Sequence, residues 1–355
     1  MKALEISEKM KKRIIRKEDL VADKTAFIDA RTPGSDKKDN YTIIGPGVSE
    51  SSKRFINLKE AHGFNIGAAA MPNGCVNSLH SHETAEVFLV SKGTWSFVWG
   101  VDGKDGEAVL TEGDVISLPT QMFRGFKNIG SDDGFLLCIL GEDNPGKVIW
   151  GPKVLEDAKG HGLVLLEDGR LIDTLDGMEI PEDGKVIEPI SDEELAQMRK
   201  VSVEEMEARV FRFKDRKPFE GAYLDSNLPG GGKKSYGIIG DGMAAVDRPA
   251  LVNNPHSFCL ELVEAEPGNG FKSHKQDVPQ VLMVHRGQWK VAWKGEGGEE
   301  GEVVLKERDI MSVPTDVYRS IECTGEETGF LHIVSGGDER VVVEWSKEVV
   351  EAVGK

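Results

Sequence analysis

The chain has 355 residues, long enough for two domains that each bury a core, and carries a formal net charge of −17. That charge argues against a nucleic-acid surface and against anionic membranes, and the run Lys11-Lys12-Arg13 is too short to reverse it. Met10 to Leu20 is broken by charges every few residues, and no apolar stretch approaches membrane-spanning length. The four cysteines, Cys75, Cys138, Cys259 and Cys323, form no Cys-x-x-Cys pair, so they read as buried fillers in a reduced, cytoplasmic setting.

Taken in chain order, residues 1–40 form an N-terminal arm, and Tyr41-Thr-Ile-Ile-Gly45 then opens a series of short strand-like runs. Gly74-x5-His80-x-His82-x3-Glu86-x6-Gly93 follows, then Gly93-Thr-Trp95-Ser-Phe-Val-Trp99, Gly106-Glu-Ala-Val-Leu110, Asp114-Val-Ile-Ser-Leu-Pro-Thr120 and Gly134-Phe-Leu, ending near Trp150. Residues 151–235 differ in character. Asp168-Gly169 and Asp183-Gly184 read as hairpin turns, Ser191-Asp-Glu-Glu194 as a capping box opening a short acidic helix, and Ser202 to Arg209 as a second helical piece. Gly230-Gly-Gly-Lys-Lys-Ser235 lacks the spacing of a phosphate loop and reads as linker.

The first series then returns. Tyr236-Gly-Ile-Ile-Gly240, Gly268-x5-His274-x-Gln276-x3-Gln280-x6-Gly287, Trp289 to Trp293, Gly301 to Leu305, Asp309 to Thr315, Gly329-Phe-Leu and Trp345 match it at offsets of 194 or 195. A repeat this regular dictates the architecture. It predicts an all-β protein: two tandem antiparallel β-sandwich or barrel domains at 41–150 and 236–345, a small mixed connecting region at 151–235 and a tail at 346–355. The two barrels are expected to superpose. Association of copies through a barrel face, giving a homo-oligomer, is compatible with this organisation.

Alternate side chains of a strand share a face, so His80, His82 and Glu86 project to one side. Two imidazoles and a carboxylate are the donor set of a first-row metal site of the two-His-one-carboxylate type. In the second copy His274 remains, but Gln276 and Gln280 replace a histidine and the glutamate, and amide oxygens are weak ligands for transition metals. One divalent ion per chain is expected, Fe2+ or Mn2+, with Zn2+ and Ni2+ as alternatives.

The first frame resembles the first sequence motif of the cupin superfamily, and Gly113-x5-Pro119-x-Gln121-x2-Arg124-x3-Asn128 resembles the second. The tandem arrangement is similar to the bicupins, a group that includes oxalate decarboxylases, quercetin dioxygenases and gentisate-type ring-cleaving dioxygenases. The resemblance implies a jelly-roll barrel with a metal at its open end, held by His, His, Glu and a further His. Arg124 stands where that further His belongs, and Arg319 stands there in the second copy. A guanidinium cannot ligate a cation, so His80, His82 and Glu86 remain as metal ligands, with Glu86 and Arg124 as catalytic candidates.

Arg124, Trp95 and Gln121 are the candidates for substrate contact in the first barrel, and Arg319, His274 and Gln280 in the second. The expected substrate is a small anionic or aromatic molecule, and the expected activity that of a dioxygenase-type oxidoreductase. The alternatives are a non-catalytic binder of a small acid or sugar acid, and a metal-assisted isomerase or lyase. An unoccupied Glu86–Arg124 salt bridge is the plain structural reading of the same residues.

Overall fold

A computed structural model describes residue 8, residues 10–295 and residues 300–354. Residues 1–7 and 9 of the expected arm, and Lys355 of the expected tail, lie outside the described residues. The chain divides into two compact units, Val21–Phe213 and Lys214–Lys355, with the described part of Met1–Leu20 joining the second. Among the described residues no helix is long and apolar enough to cross a membrane.

Each unit is a pair of β-sheets enclosing one core. In the first, a five-stranded sheet runs in the order Ile149–Trp150, Val76–Ser81, Arg124–Asn128, Thr94–Trp99 and Gly106–Thr111. The facing sheet has seven strands: Val210–Phe211, Val115–Leu118, Glu86–Lys92, Gly134–Gly141, Phe64–Met71, Asp39–Ile44 and Ile56–Leu58. The second unit repeats both orders with Val343–Trp345, Gly270–Gln276, Tyr318–Cys323, Trp289–Lys294 and Glu300–Leu305 in its smaller sheet. Pairing is antiparallel except where Ile56–Leu58 meets Asp39–Ile44, and where Ala250–Val252 meets Lys234–Ile239. The fold is therefore two jelly-roll barrels.

The sequence pattern explains which strands lie where. Gly106–Thr111 is an edge strand that buries Ala108 and Leu110 and turns alternate residues to solvent, the period-2 pattern of a one-sided strand. Phe258–Ala265 is central and buried throughout, which its nearly continuous apolar run requires. Trp95, Phe97 and Trp99 enter the first core with Phe88, Phe126 and Leu136, and Trp289 and Trp293 occupy the second.

The duplication extends beyond the motifs that announce it. Ile14–Ile15 pairs with Ile310–Val313 in the unit of the second barrel, and Val210–Phe211 pairs with Val115–Leu118 in that of the first. The flanking contacts match as well. Arg13 donates to Ser312 Oγ at 2.9 Å, and Arg209 donates to Ser117 Oγ at 2.8 Å. Arg16 pairs with Asp309 and Arg212 with Asp114. Each barrel is thus completed by the segment that precedes the other barrel in sequence.

Gly230 to Ser235 is no linker. Lys233, fully buried, donates to Asp225 Oδ1 at 2.6 Å and to the carbonyls of Gly231 and Gly270. Its counterpart Lys38 donates to both oxygens of Asp29 at 2.6 Å and to Asn77 Oδ1 at 2.8 Å. In both places the lysine secures the loop that leads into the barrel's first long strand.

In the connecting region the capping box at Ser191 is present, Ser202 caps Val203–Glu207, and Leu163–Leu165 pairs with Leu171–Asp173 across the Asp168-Gly169 turn. The helix Pro152–Gly160 starts with proline at its first turn, where the missing N–H costs nothing. It packs Ala158 with Trp150, Leu163 and Leu165 in a satellite core. Lys347–Val353 is a further helix within the expected tail.

Met206 and Met10 occupy matching places in the two cores, with 0% and 1% exposure. Truncating either to Ala is expected to lower stability by roughly 2–5 kcal/mol, the cost of an unfilled methionine site. Urea denaturation of Met206→Ala and Met10→Ala checks this, and wild-type midpoints in both variants would show that the segments do not complete the cores.

Candidate metal centre

Val76–Ser81 carries His80, the turn after it carries His82, and Glu86 opens the next strand, so the motif spans the corner between the two sheets. Arg124 arrives from the neighbouring strand in register with His80. The four side chains are buried, with 4% exposure or less. One donor atom from each of His80, His82 and Glu86 falls within 4.8 Å of the other two.

Glu86 is divided between two tasks. Its Oε2 accepts from Arg124 Nε at 2.9 Å and from Arg124 Nη2 at 2.8 Å, while Arg124 Nη1 donates to the Met122 carbonyl at 3.0 Å. Its Oε1 faces His82 Nε2 at 3.4 Å and accepts from Cys138 Sγ at 3.5 Å. The guanidinium therefore sits behind the carboxylate and leaves the other oxygen available. Burial alone would raise the Glu86 carboxyl, but the Arg124 guanidinium holds it well below the usual carboxylate range.

The imidazoles are neutral. Burial, reinforced by Arg124, pulls His80 down to about 3, and burial lowers His82 as well. His80 Nδ1 lies 2.7 Å from the Ser78 carbonyl and 3.2 Å from Asn77 Nδ2. The carbonyl can only accept, so it assigns the hydrogen to Nδ1 and leaves a lone pair on Nε2. The support behind that carbonyl is the Asp29–Lys38 pair, because Asp29 Oδ2 accepts from Ser78 N at 3.1 Å. His82 has no such backing; its Nδ1 is buried without a partner among the described residues.

These residues fit a divalent metal ion. The donors are two neutral imidazole nitrogens and an ionised carboxylate oxygen, and the 3.4 Å between His82 Nε2 and Glu86 Oε1 is near the ~3 Å that separates adjacent donors around a small octahedral ion. Arg124 lowers affinity by its charge, but it touches only the oxygen turned away from the cluster.

The cluster opens on a cavity of about 90 Å³, room for a handful of non-hydrogen atoms. Phe88, Phe126, Trp150, Tyr41, Ala68 and Ala69 are among its walls, and among the described residues no Lys or Arg lines it. Space exists because small residues stand on the strand Phe64–Met71. Gly67 lies opposite Cys138, whereas the equivalent Glu261 lies opposite Ile333. Glu261 is held by Tyr223 Oη at 2.7 Å and Arg248 Nη1 at 3.0 Å, so a side chain stands in the second barrel where the first has only a glycine.

Several expected substrate contacts fall elsewhere. Trp95 lies away from this cavity, packed on Phe126 and Gly134 with Nε1 donating to the Lys92 carbonyl, because its strand runs from Trp99 beside Arg124 away from the site. Gln121 is an exposed turn residue at φ 57°. Arg124 has its fork engaged by Glu86 and is not among the residues lining the cavity. In the second barrel His274, Gln280 and Arg319 are buried together at the matching register, with Arg319 Nε donating to Gln280 Oε1 at 3.1 Å.

The sequence reading missed two cavity-side residues, Trp150, whose ring lies 5.5 Å from that of His80, and Cys138. It also missed Glu50, which accepts from Trp150 Nε1 and Ile28 N, both at 2.7 Å, while burial pushes its carboxyl up to about 8. Glu50 has no acidic counterpart in the second copy, so the repeat could not signal it.

Two barrels of repeated topology, one bearing a buried His-His-Glu cluster at its corner, define a class of duplicated β-barrel proteins with one candidate metal centre. Residues 69–140, within the first barrel, match the cupin domain family. No curated protein matches the sequence. Among solved structures, the vicilin of Corylus avellana (hazelnut) is similar over 94% of this chain and 87% of its own, at 11% identity and a TM-score of 0.55. A mutant of Bacillus subtilis oxalate decarboxylase is similar over 86% of this chain and 74% of its own, at 13% identity and a TM-score of 0.51. At such identities the likeness establishes the fold.

The buried imidazoles set an acid limit on stability. The unfolded chain protonates His80 near pH 6.5, whereas the folded protein resists until about 3. A depressed folded-state value gives stability that is present above 6.5 and lost as pH falls, at up to about 1.4 kcal/mol per pH unit for each such imidazole. Urea midpoints of chelated protein are expected to fall between pH 6.5 and 4, with a shallower fall in His80→Gln. An identical slope in the variant would show that His80 is solvated.

Proposed function

We propose that the protein is a metal-dependent enzyme whose first barrel acts on a small, predominantly apolar or aromatic molecule, with a dioxygenase-type reaction as the reading best supported. The carrying observation is the pairing of a three-donor metal cluster with an apolar cavity that no cationic side chain among the described residues lines. His80, His82 and Glu86 would hold Fe2+ or Mn2+, which supplies open coordination positions for substrate and dioxygen or acts as a Lewis acid. His80 is fixed by Ser78, Glu86 is kept ionised by Arg124, and Phe88, Phe126 and Trp150 exclude water and orient a flat substrate.

A reaction on a small dicarboxylate, as the name of oxalate decarboxylase describes for that protein, fits this cavity less well. Such a substrate would bring negative charge to a wall without Lys or Arg, leaving the metal as its main electrostatic partner. The metal-assisted lyase or isomerase remains the second reading, favoured by the neutral imidazoles if the substrate is uncharged.

Elemental analysis of protein purified without chelators is expected to give one divalent ion per chain, lost in the double variant His80→Ala, His82→Ala. Oxygen uptake by the Fe2+-reconstituted protein with small uncharged ring compounds, absent in that variant, supports the oxidoreductase reading. Turnover without oxygen uptake would instead select the lyase or isomerase.

Arg124→Met leaves the Glu86 carboxyl buried without its counter-charge, so the metal-free variant is expected to lose about 3–5 kcal/mol. Saturating Mn2+ should recover much of that loss, because the ion replaces the missing positive charge. Thermal unfolding with and without Mn2+ checks this. Equal destabilisation in both conditions would mean that Glu86 does not face the ion.

A further inference from the structure

The second barrel has kept the arginine and lost its carboxylate. Arg319 is fully buried, its Nε donates to the neutral Gln280 Oε1 at 3.1 Å, and its Nη1 donates to the Val317 carbonyl at 3.0 Å. Its Nη2 has no partner among the described residues. The buried acids described in the same unit are committed elsewhere, Glu261 to Tyr223 and Arg248, Asp225 to Lys233, Glu264 to Lys234 and Asp309 to Arg16. Burial draws Arg319 down to about 9, so it remains a cation at neutral pH without a counter-charge among the described residues. A charge buried in this way is costly unless something pairs with it.

The groups around it are of mixed character. His274 is in register with Arg319, as His80 is with Arg124, and Gln276 shares the face of His274 on one strand. His274 Nδ1 lies 2.8 Å from the Lys272 carbonyl, so it holds the ring hydrogen and Nε2 presents a lone pair. That Nε2 and both amide atoms of Gln276 are buried and unpartnered among the described residues. Burial and the neighbouring Arg319 hold the imidazole neutral, its value well below the ordinary one.

The unpartnered set is therefore a cationic donor, a neutral donor with its own acceptor, and a lone-pair acceptor. A divalent metal would meet Arg319 without a carboxylate to offset it. Water matches the hydrogen bonds but leaves the charge unbalanced. A simple carboxylate balances the charge but has no hydrogen to give His274. A small oxyanion that keeps one hydroxyl satisfies all three groups. Glu261 and Val263 stand where the first barrel has Gly67 and Ala69, which favours a small occupant.

We propose that the second barrel binds a small hydroxyl-bearing oxyanion of the hydrogencarbonate type between Arg319, His274 and Gln276. The site is independent of the metal reading of the first barrel.

Calorimetric titration of the full chain, chelated and in degassed buffer, with hydrogencarbonate and separately with formate is the test. One equivalent of hydrogencarbonate is expected to bind, and formate at least about tenfold more weakly, the loss of one hydrogen bond in a buried charged site. Gln280→Glu supplies Arg319 with the partner that Glu86 gives Arg124; it should stay folded, raise the melting temperature and abolish binding. Arg319→Met should also abolish it, and His80→Ala should leave it intact. No binding by the wild type, meaning that water alone fills the site, would overturn the proposal. So would unchanged binding in Gln280→Glu, loss of binding in His80→Ala, or formate binding as tightly as hydrogencarbonate.

Discussion

The buried contact between Glu86 and Arg124 is the constraint on which the chemistry of this protein depends. It joins the strand Glu86–Lys92 of one sheet to the strand Arg124–Asn128 of the other, at the corner where His80 and His82 also arrive. Removing either partner would leave a charge buried alone, so the pair fixes both side chains in one geometry. Because Arg124 uses only Oε2, the carboxylate remains ionised and still offers Oε1 to the histidines. An arginine in place of a fourth ligand is thus compatible with a three-donor site.

The second barrel shows what a few substitutions do to the same frame. Gln280 gives Arg319 an acceptor of matching shape but no charge, and Gln276 withdraws an imidazole. The result is a site with surplus positive charge and no metal donor set among the described residues. On the opposite wall, Glu261 and Val263 take the place of Gly67 and Ala69, with Glu261 held by Tyr223 and Arg248. Duplication preserved the strand order of both barrels while their interiors diverged, one keeping His80, His82 and Glu86 and the other His274, Gln276 and Gln280.

Much of this was legible from the residues. The recurrence of His80 in His274, Trp95 in Trp289 and Pro119 in Pro314 identifies two barrels, because turns and interior aromatics constrain each copy in the same way. The parity of His80, His82 and Glu86 brings the donors together. The repeat extends past its obvious motifs, as His62 and His256 hold matching turns through Asp143 and Asp338. These signals were weak because a single His or a Lys-Lys pair is common, and only the paired tertiary contacts give it meaning. Which aromatic reaches the cavity was not legible. Trp95 and Trp99 share a face, but their distance along the strand from Arg124 decides which lies near the site. The use that Glu86 makes of the Arg124 fork likewise shows only in the hydrogen bonds.

Anomalous diffraction from crystals grown with Mn2+ tests the central claim most directly. The account requires one strong peak per chain, within bonding distance of His80 Nε2, His82 Nε2 and Glu86 Oε1, with Arg124 still on Glu86 Oε2. It requires no peak beside His274. Peaks of equal height in both barrels, or a first barrel without one at saturating Mn2+, would contradict it.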